Sequence, residues 1–423
     1  MEEILVATLA RSFIPYIVLL PAMILAGCQP AAAPVTRPAP APAAIDYTHP
    51  LPPGQMALRK ISPEQYPDFS RALAGANVAE LRASAENSLA YMARPGSRKG
   101  YPYLDIDHER AIASLQAFVR LIDSGAFAGP ADEFNRKIAE QFDVYQSIGA
   151  PAPDGSAYTG KVLFTGYYTP TYDASLTRGG PYQWPLYKRP GDLVYDPASD
   201  NAGRRMPDGS LAPYATRQEV ESGAMAGNEL VWLTGRWNAY VITIQGSGRL
   251  RLPDGRIMEV GYAGNNGRPY VSPGMKMVAD GVIAKSDLSF ETMRRYFAAN
   301  PAAMDVYLWQ NPRTVFFTEV HGGPFGSLNV PVTRLASIAT DKDVYPRAMP
   351  AFVSAPANSD SASSPGPTSD INQFVLDQDR GGAIRSAGRC DIYMGIGDRA
   401  EQTAGHQLSA GTLYYFAVKG AVR

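Results

Sequence analysis

A chain of 423 residues exceeds what one hydrophobic core usually organises, so about two domains plus tails are expected and a single small module is excluded. Apolar residues make up 45% of it and charged residues 19%, which excludes a disordered chain. With 39 basic against 40 acidic residues the net charge is −1, so there is no electrostatic case for a nucleic-acid partner and any polymer bound is expected to be largely neutral.

The abundance of Gly (39), Pro (36) and Tyr (24) favours a strand-and-turn-rich fold over long helical bundles. Residues 13–26 are an apolar run containing Pro15 and Pro21, too short for a spanning helix and of the length of a secretory signal. The run ends in Leu25-Ala26-Gly27-Cys28, which resembles the lipobox at which bacterial lipoproteins are cut and acylated, and so implies lipidation of Cys28 and a membrane anchor. An ordinary signal peptide is the alternative, since Glu2 and Glu3 stand where a basic segment is expected and only Arg11 supplies charge. Residues 29–53 are almost all Ala and Pro, the composition of an extended stalk. Gln29 after the cysteine is similar to the pattern that sorts lipoproteins to the outer membrane.

From 62 to 149 the pattern is helical: Ile112, Leu115, Phe118 and Ile122 predict one amphipathic helix, and Phe134, Ile138, Phe142 and Tyr145 another. Gly125 and Gly149 fall where helix stops are expected, and Pro95-Gly96 closes an earlier helix through Leu81 and Leu89. After Gly160 the pattern changes to strands at 162–168, 231–245 and 249–262, the last folded on a Pro253-Asp254-Gly255 turn. A helix is expected at 290–299, with a continuation at 304–309, before strands resume at 315–320. Short strands around 334–339, 351–354, 374–376, 391–394 and 413–418 predict a small β domain, interrupted by a Ser/Pro/Gly-rich loop at 358–370.

The four histidines, His49, His108, His321 and His406, form no nucleophile setting, and Cys28 and Cys390 have no disulfide, metal or redox spacing. No nucleotide loop or zinc-protease motif is present, so no cofactor and no metal are called for. Carboxylates remain. Aspartates cluster beside glycines at Ala339-Thr340-Asp341, Gln378-Asp379-Arg380-Gly381-Gly382, and Arg389-Cys390-Asp391-Ile392-Tyr393. Turn formation accounts for an Asp before Gly, whereas Asp391 opens an apolar strand where its charge would be partly desolvated. Cys390 beside it should point to the opposite face of that strand as a small buried hydrophobe.

Asp379-x-Gly381-Gly382-Ala383-Ile384-Arg385, then Arg389-x-Asp391-Ile392-Tyr393-x-Gly395, resembles the signature of the three-aspartate domain in the membrane-bound lytic murein transglycosylase A family, with Asp341 matching the first aspartate. Thr165-Gly166-Tyr167-Tyr168-Thr169-Pro170, Gln245-Gly246-Ser247-Gly248, Gly261-Tyr262-Ala263-Gly264-Asn265-Asn266-Gly267 and Trp309-Gln310-Asn311-Pro312 are similar to further family motifs, in family order. Ser386, Arg347-Ala348 and the loop at 358–370 depart from the family pattern, which affects loop geometry and removes no aspartate.

The resemblance implies a mainly β fold with N-terminal helices: a double-psi β-barrel domain plus a second, inserted β-barrel-like domain. The corresponding boundaries are 1–27 signal peptide, 28–60 lipidated Cys28 and linker, 61–172 helical segment and first part of domain 1, 173–312 inserted domain, and 313–423 the barrel part of domain 1. It implies cleavage of the β-1,4 bond between N-acetylmuramic acid and N-acetylglucosamine in peptidoglycan, leaving 1,6-anhydromuramic acid ends. Asp391 would be the single catalytic acid and base, supported by Asp379 and Asp341. Thr165, Tyr168, Thr169, Gln245, Ser247, Gly381 and Gly382 would bind the glycan, and Arg385 and Arg389 would pair with the aspartates or meet substrate carboxylates. The implied place is the periplasmic face of the outer membrane, with peptidoglycan strands as partner alongside wall-remodelling proteins. A water-using glycosidase with a second carboxylate, a non-catalytic peptidoglycan-binding lipoprotein, and a calcium or magnesium site on the aspartates are the alternatives.

Overall fold

In the computed structural model, residues 44–196, 201–356 and 370–420 are described. The signal segment, Cys28, the stalk as far as residue 43 and the loop at 358–369 lie outside these residues. β1 (Leu58–Ile61) already belongs to the body although the linker was expected to run to residue 60: Ala57 is fully buried and its N–H donates to Val344 O at 2.9 Å.

Three helices follow. α1 (Val78–Met92) starts at Asn77, whose side chain accepts the Glu80 N–H, and α2 (His108–Asp123) starts at Asp107, which accepts the Arg110 N–H. α2 buries Leu115, Phe118 and Ile122 as its spacing predicts, and Gly125 just beyond it takes φ +73°, the left-handed conformation of a helix stop. α3 (Ala131–Gln141) is shorter than expected. Phe142 and Tyr145 are not its last turns but part of a strand, β2 (Phe142–Ser147), which pairs with β1. Two elements of different period meet in one apolar pattern, which by spacing alone is that of a single helix. Gly149 is likewise a turn glycine: at φ +68° it packs so closely that a Cβ would lie 2.4 Å from the Lys161 backbone.

β3 (Val162–Thr169) leads into the inserted part: β4 (Thr171–Ser175), β5 (Trp184–Tyr187), β6 (Leu193–Asp196), β7 (Asn201–Arg205), β8 (Leu211–Ala212), the single turn α4 (Arg217–Glu219) and β9 (Glu229–Leu233). Then come α5 (Arg236–Gln245), β10 (Ser247–Arg251), β11 (Ile257–Asn265), α6 (Pro273–Ala279), α7 (Phe290–Ala299), α8 (Ala303–Leu308) and β12 (Val315–Val320). A six-stranded sheet runs β12-β11-β10-β4-β9-β5 beside a three-stranded one, β6-β7-β8. β12 pairs with β11, so this sheet extends past the boundary drawn at 312. The strand expected over 231–245 ends at Leu233. The rest is α5, which buries Trp237, Tyr240 and Val241 at helical spacing and stops at Gly246 with φ +77°. Burial on one face overrides the β preference of Val241, Ile242, Thr243 and Ile244.

The chain finishes with β13 (Ser337–Ala339), β14 (Pro350–Ala355), β15 (Ile371–Asp379), β16 (Arg389–Ile396), α9 (Asp398–His406) and β17 (Leu408–Val418). The sheet order β1-β2-β17-β14-β15-β13-β16-β3, with β17 also pairing β3, closes six of these strands into a ring. The fold is thus mixed, with large sheets, and its helices are not confined to the N-terminal part. Phe69, Phe118, Phe134, Phe352, Phe374 and Phe416 fill the seam between the leading helices and the sheet, with ring centroids 5.1–5.7 Å apart in their tightest pairs, such as Phe352–Phe374 at 5.1 Å and Phe118–Phe374 at 5.7 Å.

Candidate active site

β13 lies between β15 and β16, and its last residue, Ala339, stands opposite Asp379 on one side and Asp391 on the other. Asp391 is also in register with Thr165 on β3. Adjacent strands are about 4.8 Å apart, so roughly 10 Å separates the two aspartate backbones, with a single methyl group between them. Asp379, Ala339 and Asp391 line a cavity of about 580 Å³. The inserted part closes it with Gln245, Gly246 and Ser247 where α5 ends and β10 begins, Tyr262 on β11 and Arg313; the Gly381-Gly382 turn lines it from the barrel side.

Asp391 is held through one oxygen. Its Oδ1 accepts the Thr165 hydroxyl and lies 3.6 Å from Arg389 Nη2, which also donates to Thr165 Oγ1 at 3.1 Å. Its side chain keeps 19% exposure, and no donor among the described residues engages Oδ2. Cys390, one residue earlier, is fully buried on the other face of β16.

Asp379 is held more firmly. Its Oδ1 accepts the Ser327 N–H at 2.7 Å and the Arg380 N–H at 2.8 Å, and the Tyr167 hydroxyl lies beside it. Burial nonetheless raises its pKa above the usual carboxylate range, these hydrogen bonds only partly opposing the shift. The folded protein therefore binds this proton more tightly than the unfolded chain does. That stabilisation is complete below the ordinary carboxylate pKa and is lost as pH rises through the raised value. Asp379→Asn should remove this slope, so that urea unfolding shows the variant gaining stability relative to the wild type between pH 4 and pH 8. A constant difference over that interval would refute the assignment.

Three expected site residues are placed elsewhere. Asp341 does not line the cavity: it is buried at the head of a turn, its Oδ1 accepting the Asp343 N–H at 3.1 Å, and burial raises its pKa. Tyr168 is buried, with its ring directed toward Tyr172 and Glu401 instead of the cavity. Strand alternation is the reason, because Thr165 and Tyr167 share the Asp391 face and Tyr168 lies on the other. Tyr167 is accordingly the tyrosine of β3 that lines the cavity, and its ring packs 5.1 Å from that of Tyr393. Thr169 is also buried, sharing hydrogen bonds with Tyr393 Oη at 2.9 Å and Ser247 Oγ at 3.1 Å, so it braces the strand.

Of the remaining expected residues, Gln245, Ser247, Gly381 and Gly382 line the cavity, and Thr165 bears on it through Asp391. Thr165 touches Asp391, while Gln245 accepts the Tyr168 N–H at 3.1 Å through Oε1. Gly381 and Gly382 form the turn facing Arg313, whose Nε would lie 3.5 Å from a Cβ at 382. Arg385 reaches Asp343 at 3.4 Å, and it is Arg389 that pairs with the cavity aspartate. The near-zero charge of the chain is not shared by this cavity, whose lining holds Arg189, Arg217, Arg313 and Arg380 alongside the two aspartates. Arg217 is braced by the Asn311 and Arg313 carbonyls and by Glu221 at 3.6 Å, and Arg380 lies 3.6 Å from Asp343. None of these arginines except Arg380 stands in an aspartate motif, so only the fold reveals them.

Residues 163–318 match the family model described as the MltA specific insert domain, and residues 336–417 match the 3D domain, together more than half of the chain. The chain is 30% identical over 262 residues to membrane-bound lytic murein transglycosylase A of Escherichia coli (strain K12); the match covers 61% of this chain and spans 66% of that relative. In fold it is similar to the membrane-bound lytic murein transglycosylase of Agrobacterium tumefaciens, with TM-score 0.70, 21% identity, and 86% of this chain and 98% of that one covered. It is also similar to E. coli MltA with bound chitohexaose, with TM-score 0.63, 22% identity, and 89% and 98% covered.

Proposed function

We propose, from the premise that the chain belongs to the membrane-bound lytic murein transglycosylase A family, that it cleaves the β-1,4 bond between N-acetylmuramic acid and N-acetylglucosamine in peptidoglycan and leaves 1,6-anhydromuramic acid ends. The observation that carries this reading is the asymmetry of the two cavity aspartates. Asp391 has one oxygen fixed by Thr165 and Arg389 and the other unengaged among the described residues, whereas Asp379 is committed to two backbone N–H groups.

One carboxyl suffices. Protonated Asp391 donates to the glycosidic oxygen as the C1–O bond breaks, so that N-acetylglucosamine leaves with a free hydroxyl. The Asp391 carboxylate then takes the proton of the muramic C6 hydroxyl as its oxygen bonds to C1, which closes the anhydro ring and restores the acid. No water is consumed. A water-using glycosidase needs a second carboxylate free to act as nucleophile or base, and the Asp379 carboxylate is instead committed to the Ser327 and Arg380 N–H groups. Gln245, Ser247, Tyr167 and the Gly381-Gly382 backbone line the cavity and would meet sugar hydroxyls and faces, as the arginines would meet lactyl or peptide carboxylates.

We read the closed six-stranded ring as the double-psi barrel, a reading supported by its parallel pairs β3–β16 and β13–β15. Acylation of Cys28 would hold the enzyme at the periplasmic face of the outer membrane, near the strands it cuts and the wall-remodelling proteins that make them. Digestion of purified sacculi with the body of the chain should release muropeptides one water lighter than those with reducing muramoyl ends. Reducing ends in the mass spectra would instead mean hydrolysis, and binding without release would mean an anchoring module.

A further inference from the structure

Asp379 reaches its position through an irregularity. In the parallel pair of β13 and β15, Ile338 stands opposite Asp377 and Ala339 opposite Asp379, so Gln378 is an extra residue. Without this bulge Ala339 would face Gln378, and the Asp379 carboxylate would be displaced from the line that joins it to Asp391.

Gln378 is fully buried and spends its whole side chain on holding that bulge. Its Oε1 accepts the hydroxyls of Ser84 at 2.9 Å and Ser337 at 2.6 Å. Its Nε2 donates to Ser84 O at 2.6 Å and to Ser88 Oγ at 2.9 Å. Ser84 and Ser88 lie on α1, which contributes nothing to the cavity lining, and Ser84 Oγ also reaches Ala336 O at 3.0 Å. On the other side, the Gln378 carbonyl faces the segment that supplies the Ser327 N–H to Asp379. Gly326 comes so close that a Cβ there would sit 2.6 Å from Gln378 O.

We propose that Gln378 is a positioning residue, clamped by α1, that sets the bulge and thereby holds Asp379 in the cavity opposite Ala339. The role rests on the transglycosylase reading for its effect on turnover, while its effect on Asp379 stands apart from it. A buried amide with all four hydrogen bonds made specifies one register, because any slip leaves several polar groups unsatisfied at once. α1 thus acts on the site without touching it.

The test uses Gln378→Met, similar in length but unable to make these bonds, with Asp379→Asn and the double variant. Turnover on sacculi should fall about 10- to 100-fold in folded Gln378→Met at nearly unchanged KM. The double variant should be no slower than Asp379→Asn alone, since both changes act through one group. Independently of turnover, the titration midpoint of the Asp379 carboxyl, read by carboxyl carbon NMR, should move toward the ordinary range as the bulge loosens. If the midpoint stays in place in the folded variant, the proposal is overturned whether or not turnover changes. Should the wild type release no anhydro product, the functional reading falls and the midpoint alone decides the positioning role. If Gln378→Met does not fold, Ser88→Ala removes one bond of the clamp from α1 and should move the midpoint the same way by less; an unmoved midpoint there overturns the proposal equally.

Discussion

Asp391→Asn is expected to abolish release of anhydro-muropeptides, with turnover falling by about 10²- to 10⁴-fold, the span that positioned proton transfer usually supplies. The amide is nearly isosteric, and its carbonyl oxygen can still accept the Thr165 hydroxyl, so folding and glycan binding should persist. What it cannot do is give a proton to the leaving oxygen and then recover one from the C6 hydroxyl. Muropeptide release, calorimetric binding of a chitooligosaccharide and the unfolding midpoint should therefore separate: the first lost, the other two within a small factor of the wild type. Turnover within tenfold of the wild type would remove Asp391 from the chemistry and direct attention to Asp379.

Much of this site is legible in the sequence. The aspartates carry their own context in sequence, and Asp391 at the head of an apolar strand signals a carboxylate that packing alone does not need. The parity of β3 was only half legible: alternation forbids Thr165 and Tyr168 from sharing a face, but it is the pairing with β16 that puts Thr165 and Tyr167 on the Asp391 side and leaves Tyr168 in the interior. What could not be read is anything that depends on a partner strand. The bulge at Gln378 exists only relative to β13, and the arginines meet only when the inserted sheet closes over the barrel.

The same distinction explains the fold. α2 was readable because its apolar stripe and its stop at Gly125 agree. α5 is hidden in the sequence because its β-branched run suggests a strand, although Gly235 and Gly246 bracket a helix-length segment and Trp237, Tyr240 and Val241 follow helical spacing. α9 carries almost no apolar signal, since it buries only Ala400 and Ala404, four residues apart; Ala404 packs over Gly166, where a Cβ would come within 2.7 Å of its Cα.

The strongest effect on stability should come from a pair absent from every motif. Lys342 and Asp377 form an ion pair beneath the barrel wall with essentially no exposure. Asp377 also accepts the hydroxyls of Thr340 at 2.7 Å and Tyr415 at 2.8 Å, and Lys342 donates to Thr340 at 2.9 Å. Burial pushes the Asp377 carboxyl up and the Lys342 ammonium down, each partly restored by the other's charge. Removing one partner strands the other charge in a medium that cannot solvate it, so Asp377→Asn should cost about 3–5 kcal/mol, a large share of the roughly 5–15 kcal/mol that holds a domain together. Adding Lys342→Met should recover part of that loss, because the uncompensated charge disappears while the amide still accepts the two hydroxyls. Equilibrium unfolding of the wild type, both single variants and the double variant measures this directly; strictly additive losses would mean that the pair is not coupled. The pH dependence supplies a second sign. In Asp377→Asn the buried lysine has lost the charge that supported its proton, so the unfolded chain binds more protons than the folded one and stability must rise with pH. The variant should thus regain stability between pH 7 and pH 10 relative to the wild type, and a further fall over that range would show that Lys342 is not the group left stranded.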